Sequence, residues 1–255
     1  MASWRAWVLC CVGAWVLAMS GSAAARPSPF EVAQRKFPRV EAAFVSHRAD
    51  VERVFREAGA AWPPSGLFLR SYKLEGRLEL WAKVRGGDTL VEVRRFAVCA
   101  KSGVLGPKAV SGDLQVPEGV YRVDRFNPRS RYHLSLGLDY PNAVDLARAD
   151  GRPPGGDIFI HGDCVTIGCL PLEDGPIEWL YVAAVLARGQ GRGVIDVHIY
   201  PCRFGTGACE EELATHGAEL QSFWDTLRPI HAAFEVDKRP PRVTIDSRGY
   251  RLRGP

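Results

Sequence analysis

The sequence predicts a mostly β, α+β protein: one β-rich region with helices attached at both ends. Three observations carry this. Between Leu67 and Cys99 the apolar residues alternate, in "LFLRSYKLEGRLELWAKV" and then "TLVEVRRFAVC", joined by Gly86-Gly87-Asp88. Period two bounded by a turn signal reads as hairpin strands. From Pro29 to Ala61, and again from Glu210 to Phe234, apolar residues recur at helical spacing among charged ones. The composition, 46% hydrophobic and 24% charged over 255 residues, is ordinary for a globular chain long enough to bury a core without disulfides.

The elements follow in order. Met1 to Arg5 is a short positive start, Ala6 to Met19 an apolar run, and Ala23-Ala24-Ala25 an A-x-A pattern before Arg26. This reads as a secretory signal peptide over residues 1–25, its apolar run shorter than the ~20 residues a membrane span needs. In the first helical region Phe30, Phe37, Val40, Phe44, Val51 and Phe55 mark the apolar stripe. Pro38 divides it in two, and Trp62-Pro63-Pro64 ends it. After the hairpins, "GVYRVDRF" and "RYHLSLGL" continue the β pattern on either side of Asn127-Pro128, and "DIFIHG" is a short strand. "PIEWLYVAAVLARG" reads as an amphipathic helix closed by Gly189, "GVIDVHIYP" as a buried strand, and "RVTIDSRGYRL" as a final strand pair. No internal repeat or low-complexity segment interrupts the pattern.

Net charge is +4, without a long Lys/Arg run, so nucleic-acid binding gains no support. Loss of residues 1–25 reduces seven cysteines to five: Cys99, Cys164, Cys169, Cys202 and Cys209. In an oxidising compartment an odd count leaves at least one thiol free. Cys202 and Cys209 bracket "RFGTGA", a Gly-containing loop suited to a local disulfide.

"IHGDCVTIGCLPL", residues 160–172, concentrates the reactive side chains. Its cysteines admit three readings: metal ligands, a disulfide, or a thiol nucleophile with a histidine base. A zinc site from His161, Cys164, Cys169 and His198 lacks the usual ligand spacings. A Cys164–Cys169 disulfide would block thiol chemistry. A nucleophilic cysteine must reach the thiolate, from an ordinary pKa near ~8.5, and needs a base beside it. His161 ends a strand, and Cys169 follows Gly168 in a tight turn. Backbone N–H groups of Gly168 and Cys169 could then receive an oxyanion, and the Gly162 carbonyl could fix the imidazole tautomer. His133, in "YHLSLGL", lines the site or supports it. His198 alternates along a strand and is packed, while His47, His216 and His231 fall on helices and are expected at the surface.

With these residues, "HG" followed by "TIGC" resembles the active-site pattern of YkuD-type L,D-transpeptidases. "GDLQVPEGVYRV", "FNPRSRYHLSLGLDYPN" and "FWDTLRPIHAAFEVDKRPPRVTI" resemble the YafK subgroup, and the likeness runs from about Gly66 to Leu252. The resemblance implies a YkuD-like catalytic β-sandwich or barrel at residues 66–202, after an N-terminal helical segment (26–65) and before a C-terminal helical extension with closing strands (203–255). It implies Cys169 as nucleophile, His161 as proton donor and acceptor, Gly162 as its backbone partner and Gly168 in the oxyanion turn, with Thr166 and His133 at the substrate. It also implies a periplasmic enzyme without metal or organic cofactor, acting on peptidoglycan stem peptides at diaminopimelate to make 3–3 cross-links. Two positions depart from the larger family: Ile167 stands where His is usual, and Pro171 where Arg is usual. Neither can supply a polar contact, so substrate carboxylates must be held differently. Alternative outcomes are hydrolysis, by a carboxypeptidase or by an amidase releasing a wall-attached lipoprotein, and, in a different class, a non-catalytic wall-binding module.

Overall fold

Eight strands form one mixed sheet in the computed structural model, which describes residues 26–191 and 193–254. The signal-peptide segment lies outside the described residues. The strands are β1 (Phe68–Tyr72), β2 (Arg77–Lys83), β3 (Leu90–Ala97), β4 (Gly119–Asn127), β5 (Ser135–Leu138), β6 (Phe159–His161), β7 (Leu170–Pro171) and β8 (Asp196–Tyr200). Their order is β3-β2-β1-β8-β4-β5-β6-β7, with β1–β8 and β6–β7 parallel and the other pairs antiparallel. A separate hairpin, β9 (Val243–Asp246) and β10 (Gly249–Leu252), closes the chain. The protein is therefore α+β, its large sheet flanked by helices from both ends of the chain.

Helices α1 (Pro29–Arg35) and α2 (Pro38–Glu57) are separated at Pro38, which sits at the first turn of α2, where its missing N–H costs nothing. They pack with α4 (Asp174–Arg188) on one face of the sheet. The amphipathic pattern expected of α4 is not what the structure holds. Ten of its 15 residues are buried, because α4 lies between the sheet and α2 and has almost no solvent side. Trp179 stacks on Phe55 of α2 at 6.1 Å and meets Phe96 of β3 at 5.8 Å. The N-terminal helices thus share the main core with Leu136, Ile160 and Leu170 of the strands that carry the site.

The opposite face is covered over β1, β2 and β8 by α6 (Ala218–Asp237), whose Phe234 packs against Phe68 and Trp81 at 4.8 and 5.0 Å. The single helix read from Glu210 to Phe234 is two: α5 (Gly207–Ala214) ends before Gly217, which begins α6. His231, expected at the surface, is buried between Tyr72 and Tyr200, and burial lowers its pKa to about 4. His198 is packed against Phe68 at 4.7 Å. The last helix, α3 (Ala143–Ala149), is absent from the sequence reading; an Asn142–Asp145 capping box starts it.

A bulge in β4 decides what faces outward near the site. Val123 pairs with Leu138 but Arg125 pairs with Gly137, so β4 holds one residue more than its partner. Tyr121, Val123 and Phe126 therefore all join the core, while Arg125 turns to the other face. Over β4 to β7 that face is covered by loops, and Ser135 and His161 on it are buried.

Candidate active site

The register of β4 to β7 places the side chains of this face in two rows. One runs Asn127, Ser135, His161, Pro171; the next runs Arg125, Gly137, Phe159. Cys169 immediately precedes β7. Continuing the parallel register by one residue sets it beside Phe159, on the same face as His161 and diagonal to it. A reach that the 160s loop only suggested is thus set by strand pairing.

His161 is 2% exposed, and its ring lies 4.8 Å from that of Tyr132. Its Nδ1 is 2.6 Å from the Gly162 carbonyl, so Nδ1 carries the proton and Nε2 is left as the basic nitrogen. The Gly162 N–H donates to the carbonyls of Tyr132 and Leu134, both at 3.1 Å. Glycine is required there. A Cβ would meet Asp174 Oδ1 at 2.6 Å, His133 Cβ at 2.8 Å and Ile177 Cγ2 at 3.0 Å.

Cys169 is the free cysteine among the described residues. Cys99 is joined to Cys164, and Cys202 to Cys209. The first pair removes Cys164 both from a zinc set and from pairing with Cys169; it ties the 160s loop to the chain after β3. The Cys169 thiol lies 3.6 Å from the Asp157 carbonyl and makes no hydrogen bond to His161. Burial raises the thiol pKa above its ordinary value, and burial lowers that of His161. The resting pair is therefore a neutral thiol and a neutral imidazole.

The turn before the nucleophile is held internally. Thr166 Oγ1 accepts from the N–H of Cys169 at 2.8 Å and of Gly168 at 3.2 Å, and donates to the Cys169 carbonyl at 2.9 Å. The two N–H groups expected to face an oxyanion are thus engaged, and the Thr166 hydroxyl, expected at the substrate, is used within the turn. Gly168 has φ +132°, and a Cβ would approach the Gln115 carbonyl to 2.9 Å. Ile167 is exposed, whereas Pro171 is buried in β7.

His133 is held by a carboxylate of α4. Its Nε2 is 2.6 Å from Glu178 Oε1, and Glu178 Oε2 is 2.9 Å from His47 Nε2. The His133 backbone is left-handed (φ +62°), and Arg39 donates to its carbonyl. Asp174 Oδ1 accepts from the Asp163 N–H at 2.9 Å. Glu178, Asp174 and Arg39 thus buttress the segment that holds Gly162, and through it His161. Sequence reading missed all three; the only available signal was the pair of acidic residues in the first turns of α4.

A thiol and an imidazole on one face, with the imidazole tautomer set by a backbone carbonyl, can perform acyl transfer through a thioester. Comparison with known proteins gives this arrangement a family. No family model matches the chain. The Escherichia coli K12 protein named "Putative L,D-transpeptidase YafK" is 33% identical over 189 residues, which cover 73% of each chain, and its counterpart in E. coli O157:H7 matches equally. Among solved structures, the helical cell shape determining protein Pgp2 of Campylobacter jejuni is 17% identical, covering 77% of this chain and 80% of its own, with a TM-score of 0.43. Bd1075 of Bdellovibrio bacteriovorus is 17% identical over 66% of this chain and 59% of its own, with a TM-score of 0.39. This chain belongs to the L,D-transpeptidase family, in its YafK-like subgroup.

Proposed function

We propose that this protein is an exported, periplasmic cysteine acyltransferase that acts on peptidoglycan stem peptides at diaminopimelate. The observation that carries the reading is the free Cys169 diagonal to His161, whose Nδ1 is held by Gly162. His161 Nε2 takes the proton of the Cys169 thiol as sulfur attacks the diaminopimelate carbonyl. The charge developing on the carbonyl oxygen falls at the nucleophile turn, where the Cys169 N–H, bound to Thr166 Oγ1 at rest, must exchange that partner for the oxyanion. Collapse breaks the bond to terminal D-alanine, which leaves with the proton from His161, and the thioester remains. An amine of a second stem then attacks the thioester; the C–S bond breaks, His161 passes the amine proton to the departing Cys169 sulfur, and a 3–3 cross-link results. The reaction as written calls on no metal or organic cofactor.

Water as the acceptor is the second reading. It is favoured by Pro171, which leaves that position without a charge to hold an incoming stem. Hydrolysis gives tripeptides, or releases an amine or a wall-attached lipoprotein already joined to diaminopimelate. A wall-binding module would have no use for the thiol–imidazole pair. Incubation with tetrapeptide muropeptides, with and without added amine acceptor, tests the reading by product mass. Dimers with 3–3 links are expected from wild type and none from Cys169→Ala. Tripeptides alone, unchanged by acceptor, would replace transfer by hydrolysis, and equal products from Cys169→Ala would refute the nucleophile.

A further inference from the structure

We propose that Arg125 binds a free carboxylate of the stem peptide beside the nucleophile, a role resting on the substrate class proposed above. Stem peptides carry several carboxylates, and Pro171, two residues after Cys169, is buried and uncharged. The bulge in β4 brings a guanidinium to the same face from the other side. Arg125 pairs with Gly137, in the row that continues through Phe159 to Cys169. Its Cζ lies 5.0 Å from the centroid of the Phe159 ring. Phe159 is one strand from Cys169, at the usual spacing of about 4.8 Å. Asp157 joins the two ends: its carboxylate is 3.3 Å from Arg125 Nη1, and its carbonyl is 3.6 Å from Cys169 Sγ.

Gly137 makes room for this. A Cβ there would meet Arg125 Nε at 2.7 Å and Phe159 Cε1 at 3.0 Å. The guanidinium is also available. Its side chain is 46% exposed, and its ion pairs, to Asp157 at 82% exposed and Asp124 at 40%, are solvent-facing pairs of the kind a ligand carboxylate displaces at little cost. Nη2 has no partner among the described residues. An arginine fork presents two parallel N–H groups to a carboxylate, which lysine cannot match. Lys108, a cation that acts on the thiol electrostatically, is buried and spends its ammonium on Asp113 and the Val110 carbonyl.

The test is calorimetric binding of the tetrapeptide L-alanyl-γ-D-glutamyl-meso-diaminopimelyl-D-alanine to Cys169→Ala protein, which cannot turn it over. Adding Arg125→Ala should weaken binding roughly 10- to 100-fold, the range for a lost charge-assisted pair. Arg125→Lys should recover only part of this. Gly137→Ala, which keeps the charge but crowds the guanidinium, should also weaken binding. Ligands amidated singly at each carboxylate identify the one that is held: it binds weakly, and Arg125→Ala weakens it no further. A change below threefold on Arg125→Ala, or an equal loss with every amidated ligand, overturns the proposal. Failure of any stem peptide to bind overturns both this proposal and the acyltransferase reading. Turnover by wild type with binding indifferent to Arg125 overturns this proposal alone. Arg125-dependent binding without turnover removes the acyltransferase reading and leaves the carboxylate site.

Discussion

Gly162→Ala tests whether packing against α4 sets the catalytic imidazole. The added methyl would fall 2.6 Å from Asp174 Oδ1, 2.8 Å from His133 Cβ and 3.0 Å from Ile177 Cγ2. Asp174 cannot swing away freely, because the same oxygen accepts from the Asp163 N–H. His133 is held by Glu178, and Ile177 lies in the core. The backbone at residue 162 must therefore shift, and the carbonyl 2.6 Å from His161 Nδ1 moves with it. Overpacking of this kind costs about 1–3 kcal/mol, or about 2–12 °C in Tm for a chain of this size. Displacing a catalytic group by about 1 Å costs on the order of 100-fold in rate, equivalent to about 2.7 kcal/mol of barrier. Gly175→Ala is the control, since a Cβ there meets nothing within 4 Å. Turnover of tetrapeptide muropeptides and thermal unfolding by circular dichroism give both numbers. A Gly162→Ala protein with a rate within threefold of wild type would show that the carbonyl of residue 162 does not position His161.

Three further outcomes follow from the same structure. Because burial holds the Cys169 thiol above its ordinary pKa, iodoacetamide labelling should rise about tenfold per pH unit from pH 6 to 8; a flat rate from pH 5 to 8 would mean a preformed thiolate–imidazolium pair. Non-reducing peptide mapping should find Cys99–Cys164 and Cys202–Cys209. Replacing each pair by serine should cost about 4 and about 2.5 kcal/mol in the chain-entropy model, from separations of 65 and 7 residues, and a mapped Cys164–Cys169 link would overturn the arrangement. Burial lowers the pKa of His198 to about 3, so below pH 6.5 the unfolded state takes a proton that the folded state refuses. The stability difference between wild type and His198→Asn should therefore shift against wild type by about 1.4 kcal/mol per pH unit as pH falls from 6.5 towards 3. Parallel denaturation curves at every pH would contradict this.

Much of the architecture could be read along the chain because it depends on neighbours in sequence. Period two between Leu67 and Cys99 corresponds to β1, β2 and β3, since alternate side chains of a strand must face alternate sides. Pro38 separates α1 from α2 because proline lacks the N–H that a helix interior uses. The residues of the candidate site could be singled out as chemistry, since a thiol, an imidazole and glycines at that spacing have few common uses. α4 was misread because periodicity reports only which side of a helix is most apolar. Whether the other side meets water depends on α2, a segment more than 100 residues earlier.

By itself the sequence determined the strand and helix periods, the concentration of reactive side chains in residues 160–172, and the likeness to one enzyme family. Tertiary structure decided which of those side chains meet. The resemblance assigned the nucleophile to Cys169, but the fate of Cys164 was open until the chain after β3 brought Cys99 to it. His133 could line the site or support it on sequence alone; α4 gives it a supporting contact by placing Glu178 against its ring. Strict alternation from Tyr121 and Val123 would point Arg125 into the core; one extra residue in β4 turns it to the face of Cys169. Alternation and helical period are local properties of the backbone, fixed by sterics over a few residues. Pairing register, the position of a bulge and the partner of a thiol are set by contacts between distant segments, whose free energy depends on the whole packed core.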